Sequence, residues 1–297
     1  GSELLVWGGD PEGDGAAYDP QRDRWRPVPP APFPPRVFPA SAWTGFELIV
    51  WGGRPGGGAA SLATGAAYEP VTRRWRRLPP APLGPRTPLA GIWTGEELVV
   101  VGGAGERQER LTDAAAYHPQ LDRWRPIAPL PVPLDEAVGL WTGREVVVVG
   151  DRVAAWDPRA DRWRELPAAP LATGALTAVW TGEHVLAWDF ELHAAALDVA
   201  REGAWRRLPD LPLDFRDCEP AGVLAGDVVF AEHCGQGAVY HPALREWRRV
   251  PHPRELSATP RWTGRELVFW VGNFAGSHDG VWRFRPPGRR PRGPVPP

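Results

Sequence analysis

The stretch from Trp43 to Gly53 reads WTGFELIVWGG, and it decides the fold because it recurs along the chain. Close copies occupy Trp93–Gly103, Trp141–Gly150, Trp180–Trp188 and Trp262–Gly272, and a weaker one occupies Leu224–Phe230. Each copy joins a short apolar run, through a Thr-Gly turn, to a second run rich in β-branched residues. This pattern is typical of two consecutive buried strands.

A second repeated string follows each first one, and in the first repeat it reads AAYDP at 16–20 and DRWRPVP at 23–29. Six repeats carry its tryptophan: Trp25, Trp75, Trp124, Trp163, Trp205 and Trp247. These are separated by 50, 49, 39, 42 and 42 residues. An aromatic residue stands seven positions earlier in five repeats: Tyr18, Tyr68, Tyr117, Trp156 and Tyr240. Leu197 takes this position in the fifth repeat.

Each repeat therefore contains four short runs of strand length, and no segment shows helical periodicity over ten or more residues. Four-stranded antiparallel units that recur every 40 to 50 residues predict the blades of an all-β propeller. We expect the repeated tryptophan to lie between blades, where its burial contributes on the order of 5 kcal/mol before entropy is subtracted. Arg24 and Arg26 flank Trp25 on the outermost strand, and we expect their charges to prevent edge-to-edge aggregation.

The second and third runs each appear seven times, whereas the first run appears six times. We therefore predict seven blades with the first blade incomplete at the N-terminus, and six blades as the alternative if one terminal repeat stays outside the ring. Residues 1–285 are predicted to form a single propeller. The Arg/Pro-rich tail at 286–297 is predicted to supply a poor last strand or to be disordered.

A Gly-Gly doublet after the second strand, then a Tyr, then a Trp six or seven residues later resembles the kelch repeat. Gly8-Gly9, Gly52-Gly53 and Gly102-Gly103 match the doublet. Later repeats depart from it, with Gly150-Asp151, Trp188-Asp189, Ala231-Glu232 and Gly272-Asn273 in its place. The resemblance covers nearly the whole chain, and it is specific for the fold and weak for the function.

Composition excludes several classes of function. The 297 residues have a formal net charge of −2, which gives no basic surface for nucleic acid or for an anionic membrane. No run reaches the roughly 20 apolar residues that a membrane span needs. The basic residues are all arginine, which we attribute to the codon bias of a GC-rich genome.

In kelch-like propellers, the loops before the first strand and after the second strand surround the mouth of the central channel, where family members usually bind ligands. The resemblance therefore implies a polar ligand site at these loops, for a protein or a glycan. Its predicted residues are Arg36, Arg54, Arg86, Asp151, Asp189, His193, Asp217, Glu232, His233 and Asn273. The alternative is that these loops are polar only because loops are solvated.

Cys218 and Cys234 are the two cysteines of the chain, and both fall in the sixth repeat. A disulfide between them would close a loop of roughly 15 residues and stabilise the fold by about 3 kcal/mol. It would also indicate an oxidising compartment, and hence secretion, the cell surface or the periplasm. A metal site with Glu219, Glu232 and His233, or a pair of free thiols, are the less favoured alternatives.

Catalytic signatures are weak. Galactose oxidase is a kelch-like propeller with a copper site that uses tyrosines, but the four tyrosines here all occupy the same packing position of the repeat. Neither a nucleophile elbow nor a zinc-protease motif occurs. The kelch-like sialate mutarotases use polar residues at the channel mouth, which the sequence does not exclude. We predict no catalytic residue, no metal and no cofactor.

Three hypotheses follow. The first is a non-catalytic, extracytoplasmic propeller that binds a protein or glycan at the channel mouth. The second is an enzyme of the sugar-acid type that uses the same mouth. The third is a structural subunit of a surface assembly. Surplus tryptophans such as Trp7, Trp51 and Trp188 could stack on sugars, but core packing is the favoured interpretation.

Overall fold

The chain is described by a computed structural model, which covers residues 3–8, 15–56, 60–172, 174–200, 203–215, 218–251, 260–270 and 281–285. These residues contain 26 β-strands and no helix. None of the described segments forms a helix of the length and apolarity that crossing a membrane requires. The chain divides into two compact units, Gly1–Ala169 and Pro170–Pro297.

The N-terminal unit contains four antiparallel sheets, which we call blades 1 to 4. Blade 1 is β1 (Leu4–Trp7), β2 (Gly15–Asp19) and β3 (Arg24–Val28). Blade 2 is β4 (Ala40–Trp43), β5 (Leu48–Trp51), β6 (Gly65–Glu69) and β7 (Arg74–Arg77). Blade 3 is β8 (Ala90–Trp93), β9 (Leu98–Ala104), β10 (Arg110–His118) and β11 (Arg123–Ile127). Blade 4 is β12 (Ala137–Trp141), β13 (Val146–Gly150), β14 (Val153–Asp157) and β15 (Arg162–Leu166).

The C-terminal unit contains blades 5 to 7. Blade 5 is β16 (Leu176–Trp180), β17 (Val185–Asp189), β18 (Ala194–Leu197) and β19 (Arg206–Leu208). Blade 6 is β20 (Ala221–Ala225), β21 (Val228–His233), β22 (Gln236–His241) and β23 (Glu246–Val250). Blade 7 is β24 (Arg261–Trp262), β25 (Leu267–Trp270) and β26 (Val281–Phe284).

Strands that are consecutive in sequence pair within each sheet, so the fold is an all-β propeller with seven blades. The predicted count of seven is confirmed and the alternative of six is wrong. Blade 1 has three strands among the described residues and lacks the strand that opens the other blades, as predicted. The tail at 286–297 lies outside the described residues, so its assignment stays a prediction.

The Trp-Thr-Gly motif forms the turn between the first two strands of a blade. In blade 2, the Thr44 hydroxyl accepts the backbone N–H of Glu47 at 3.0 Å, and the Thr44 N–H donates to the Glu47 carbonyl at 3.0 Å. Gly45 follows with a φ of 103°, which a side chain would disfavour. The same bonds recur at Thr94, Thr142, Thr181 and Thr263, and this explains why the motif repeats.

In blades 2 to 4 the fourth-strand tryptophan bonds to the blade before it, as predicted. The indole N–H of Trp75 in blade 2 donates to the Pro29 carbonyl, just after blade 1, at 2.8 Å. Trp124 donates in the same way to Pro79, and Trp163 to Ala128. Each indole therefore satisfies its polar atom while its rings exclude water between blades.

The arginine after this tryptophan has a role beyond the predicted edge charge. Arg26 forms an ion pair with Glu3 of its own blade, and it donates to the Tyr68 hydroxyl of blade 2 at 3.2 Å. Arg76 likewise pairs with Glu47 and reaches Tyr117 of blade 3. One guanidinium has enough donors to join two partners, so Arg26 also links two blades, and its protection of the sheet edge stays a prediction.

Candidate functional site

The mouth end of a blade is defined here as the end at which its second strand finishes and its first strand begins. Arg36 lies at the mouth end of blade 2, but only 1% of it is exposed. Its guanidinium donates to the carbonyls of Gly52 and Thr64 at 3.0 and 2.7 Å and lies over the Phe33 ring. Burial lowers its pKa to about 10, so it remains a cation at neutral pH. These contacts give Arg36 a structural role in clamping strand ends.

Arg86 repeats this arrangement in blade 3 with a carboxylate added. It is 1% exposed, and two of its nitrogens donate to the two Asp113 oxygens at 2.7 Å each. The bond from Arg86 holds the pKa of the Asp113 carboxyl below its ordinary value, although burial opposes this. The pair lies beside a cavity of about 380 Å³ that Glu106 and Arg107 also line. Because Arg86 is buried and Asp113 is half-exposed, the Asp113 carboxylate is the part of the pair that is accessible from this cavity.

Arg54 is the exposed arginine of the predicted set. Two backbone bonds between Val37 and Arg54, at 2.8 and 3.1 Å, close the loop before β4 onto the loop after β5. The Arg54 guanidinium lies 5.6 Å from the centre of the Phe38 ring. Phe38 is 64% exposed and has a φ of 53°, which is unusual for a bulky residue. The two side chains form an exposed aromatic–guanidinium pair.

Asp151 follows β13 and is exposed, as expected for a ligand-binding position. Asp189, at the end of β17, is completely buried. Its two oxygens accept the backbone N–H groups of Ala172 and His193 at 2.7 and 2.9 Å, so it holds two loops together. The His193 imidazole Nδ1 lies 3.4 Å from Asp189 and 3.5 Å from Glu191. His193 and Glu191 are the solvent-accessible members of this group.

Strand register changes the interpretation of Glu232. In β21–β22, Glu232 pairs with Gly237, three residues before Tyr240. In β5–β6, Trp51 pairs with Gly65, three residues before Tyr68. Glu232 thus occupies the Trp51 position and not the glycine doublet, so the alignment of Ala231-Glu232 with that doublet is wrong. The sequence spacing agrees with this register, because Leu224 and Glu232 are separated by eight residues, as Trp43 and Trp51 are.

The environment of Glu232 is unusual for a carboxylate. The residue is completely buried, and burial raises its pKa to about 7, although a hydrogen bond from Gly235 opposes the shift. The Gly235 N–H donates to Oε1 at 2.8 Å. Within the described residues, Oε2 has no hydrogen-bond partner. Such an atom costs about 1–3 kcal/mol of stability.

His233 and the two cysteines lie together beside Glu232. Cys218 and Cys234 form a disulfide with a Cα–Cα distance of 6.0 Å, as predicted. His233 is completely buried, and one of its ring nitrogens lies within 4.8 Å of both sulfur atoms. By the register of β21–β22, His233 and Cys234 stand in place of the glycine doublet. In blade 5 Asp189 and Phe190 do so, and the alignment of Trp188-Asp189 with the doublet is therefore also wrong, by one residue.

The predicted site residues therefore fall into two groups. Arg36, Arg86, Asp189, Glu232 and His233 are buried, and direct contact with a ligand stays a prediction for them. Arg54, Asp151 and His193 are accessible at their mouth ends. Asp217 and Asn273 lie outside the described residues.

Aromatic residues at the mouth ends were missed. Phe38 was overlooked although it follows Arg36 and Val37 in a proline-rich loop. In the C-terminal unit, the ring centres of Phe190 and Phe215 are 6.4 Å apart, and Phe215 is 60% exposed. A large apolar residue between prolines, outside every repeated packing position, was the available signal.

Comparison with known proteins supports the fold. A solved structure titled "Structure of YjhT" superimposes with a TM-score of 0.63 and 13% sequence identity, over 84% of this chain and 94% of that one. At this identity the likeness shows the fold alone. No protein-family model matches the chain, and no curated protein matches it. The kelch resemblance therefore stays an inference from the repeat.

Proposed function

We propose that this chain is a non-catalytic binding propeller that works outside the cytoplasm, and that it holds a protein or glycan ligand at the mouth end of blade 2. The observation that carries the proposal is Phe38, a mostly exposed phenylalanine with left-handed backbone beside the Arg54 guanidinium. Left-handed backbone costs a residue with a side chain roughly 1–2 kcal/mol. A feature that costs stability without burying surface is typical of a binding position.

The loop is rigid, which favours binding. The Val37–Arg54 backbone bonds hold the two loops together. The loops are also in close contact, because a Cβ atom added to Gly53 would lie only 2.7 Å from the Val37 carbonyl oxygen. Phe38 is therefore already fixed in its exposed position before any ligand arrives. Preorganisation of this kind reduces the entropy lost on association.

The chemistry of the pair fits a ligand with an apolar face next to an anionic group. The phenylalanine ring can stack on a sugar or enter an apolar pocket of a protein. Among the described residues, no hydrogen bond or ion pair is formed by the Arg54 guanidinium, so its donors are available to a carboxylate. A carboxylated glycan and an acidic protein surface both meet this requirement.

The Cys218–Cys234 disulfide supports the extracytoplasmic location, because disulfides persist in oxidising compartments. Non-catalytic binding is favoured over the sugar-acid enzyme because the buried groups Asp189 and Glu232 are inaccessible to a substrate. The exposed Phe38–Arg54 pair is suited to contact with a ligand and carries no group that could act as a general base.

The test uses purified wild-type protein on a glycan array and in quantitative pull-downs from an extracellular fraction. Phe38→Ala and Arg54→Ala should each weaken retention of the ligand at least tenfold. Phe46→Ala is the matched control, since Phe46 is 50% exposed at the opposite end of the same blade. Equal effects of Phe38→Ala and Phe46→Ala would disprove the proposed location, and a wild-type protein that retains neither glycan nor protein would disprove the function.

A further inference from the structure

Cys218, His233 and Cys234 offer one thiol or imidazole ligand atom each, and these atoms all lie within 4.8 Å of one another. Tetrahedral zinc sites are built from such thiolate and imidazole ligands. We propose that these three residues form a redox-gated zinc site: closed while the disulfide is intact, and open to one zinc ion after the disulfide is reduced.

Strand pairing, and not the disulfide alone, brings the two cysteines together. In β20–β21, Ala221 pairs with Glu232, and Cys218 comes three residues before Ala221. Extending this antiparallel register places Cys218 next to the turn that contains Cys234. We expect the two thiols to stay close after reduction, because the hydrogen bonds of β20–β21 hold Ala221, three residues from Cys218, opposite Glu232, two residues from Cys234.

The hairpin turn fixes the other two ligands. Cys234 and Gly235 both have left-handed backbone, with φ values of 49° and 71°, and His233 pairs with Gln236 across them. The Gly235 N–H is also bonded to the Glu232 side chain. Ligands on a rigid turn lose little freedom when a metal binds, so affinity is favoured.

Glu232 is not expected to be the fourth ligand. Neighbouring strand residues point to opposite faces, and Ala231 packs in the cluster of Trp188, whereas Phe230 packs in the cluster of Phe269. Glu232 thus shares the face of Phe230, and His233 shares the face of Ala231. The fourth position is left for a water molecule, which the partial exposure of both cysteines permits.

The reduction balances with a dithiol or with a phosphine. A phosphine takes the oxygen atom of one water molecule and becomes a phosphine oxide, while the two hydrogen atoms of that water complete the two cysteine thiols. A dithiol donates two electrons and two protons, which breaks the S–S bond and yields two cysteine thiols and an oxidised dithiol. Zinc then displaces the two thiol protons, and the site holds two thiolates and one neutral imidazole. In the reverse direction an oxidised dithiol accepts two electrons from the thiolates and two protons from water, the Cys218–Cys234 bond forms again, and the zinc ion is released. The site would thus exclude zinc in an oxidising compartment and accept it in a reducing one.

The first test titrates cobalt(II), as a probe for zinc, into the full chain under anaerobic conditions. Protein reduced with a phosphine should bind one equivalent and develop thiolate-to-cobalt charge-transfer absorption that zinc abolishes. Oxidised protein should show no such absorption. Absence of the absorption in the reduced protein, or its presence in the oxidised protein, would overturn the proposal.

Two variants test whether the His233 imidazole is a metal ligand. His233→Ala in the reduced form should bind cobalt at least tenfold more weakly, whereas the control His184→Ala, in the turn between β16 and β17, should bind as the wild type does. Equal affinity of all three proteins would remove His233 from the site. Since His233 is buried, a further test uses wild-type protein only: zinc should slow alkylation of both reduced cysteines by iodoacetamide at least tenfold. Equal alkylation rates with and without zinc would also overturn the proposal.

Discussion

Glu232 and Gly237 face each other across β21 and β22, and this pairing puts a carboxylate where the other blades have an apolar side chain. The equivalent residues are Trp7, Trp51, Val101, Val149, Trp188 and Trp270. Trp51 and Trp188 each contact the fourth-strand tryptophan of the following blade, with ring centres 5.5 and 5.9 Å apart. In blade 7 the described strands are the first three, so the part of the chain that the structure describes contains no fourth-strand tryptophan to contact Glu232.

Replacing Glu232 by valine, the residue found at this position in blade 4, should stabilise the protein. The change removes the unpartnered Oε2, while the Gly235 N–H loses its acceptor. We expect a net gain of about 1 kcal/mol in the free energy of unfolding, measured by urea denaturation at neutral pH. Glu219→Val, at an exposed position nearby, is the control and should change stability by less than about 0.5 kcal/mol. A loss of stability in Glu232→Val would contradict the structural interpretation of Oε2.

Replacing Asp113 by asparagine should destabilise the protein at pH 7, because the buried Arg86 loses its anionic partner. Asp113 is half-exposed, so solvent screening limits the cost to about 1–2 kcal/mol. The pKa of Asp113 is lowered in the folded state, so its contribution is present above the ordinary carboxyl pKa and is lost as the pH falls through the lowered value.

Urea midpoints at pH 7 and near pH 2.5 check this prediction. The difference between wild type and Asp113→Asn should shrink in acid, as protonation of Asp113 removes its charge. Asp135→Asn is the control, since the Asp135–Arg110 pair is exposed on both sides and should contribute little at either pH. If the stability difference between wild type and Asp113→Asn grew in acid, the predicted direction of the pH dependence would be wrong.

Phe38→Gly should separate stability from binding. Glycine relieves the left-handed backbone strain but loses more entropy on folding, so we expect a gain of about 0.5–1 kcal/mol in the free energy of unfolding. Binding of the proposed ligand should fall at least tenfold in the same variant. Phe46→Gly should not stabilise the fold, because Phe46 does not have left-handed backbone. Thermal melts of the two variants, run beside the binding assay, provide the measurement.

Serine at both Cys218 and Cys234 should cost about 3 kcal/mol, because the disulfide closes a loop across a sequence separation of 16. Denaturation without reductant should show the full difference from the wild type. Adding a reductant should bring the wild type to the stability of the variant and leave the variant unchanged. A variant as stable as the oxidised wild type would show that strand pairing alone restrains this loop.

The fold was predictable because the repeat is carried by residues whose packing and turn roles are local. Trp75 and Thr44 have the same contacts in several blades, so their spacing reveals the strand plan. The roles of individual mouth residues were not predictable in the same way. Whether Arg36 is buried depends on the carbonyls of Gly52 and Thr64, which lie far away in sequence. The spacing from Leu224 to Glu232 matches that from Trp43 to Trp51, so the repeat itself gives the position of Glu232, whereas the burial of its carboxylate without a partner for Oε2 depends on the packed strands.

The links made by Trp75 and Arg26 both join blades that are consecutive in the chain, and this has a consequence for synthesis on the ribosome. Trp75 needs only the Pro29 carbonyl from the blade before it, and Arg26 needs only the Tyr68 hydroxyl from the blade after it. Because domains emerge from the N-terminus, each new blade of the N-terminal unit meets a neighbour that has already left the exit tunnel. We therefore expect these blades to assemble in the order of translation, one at a time.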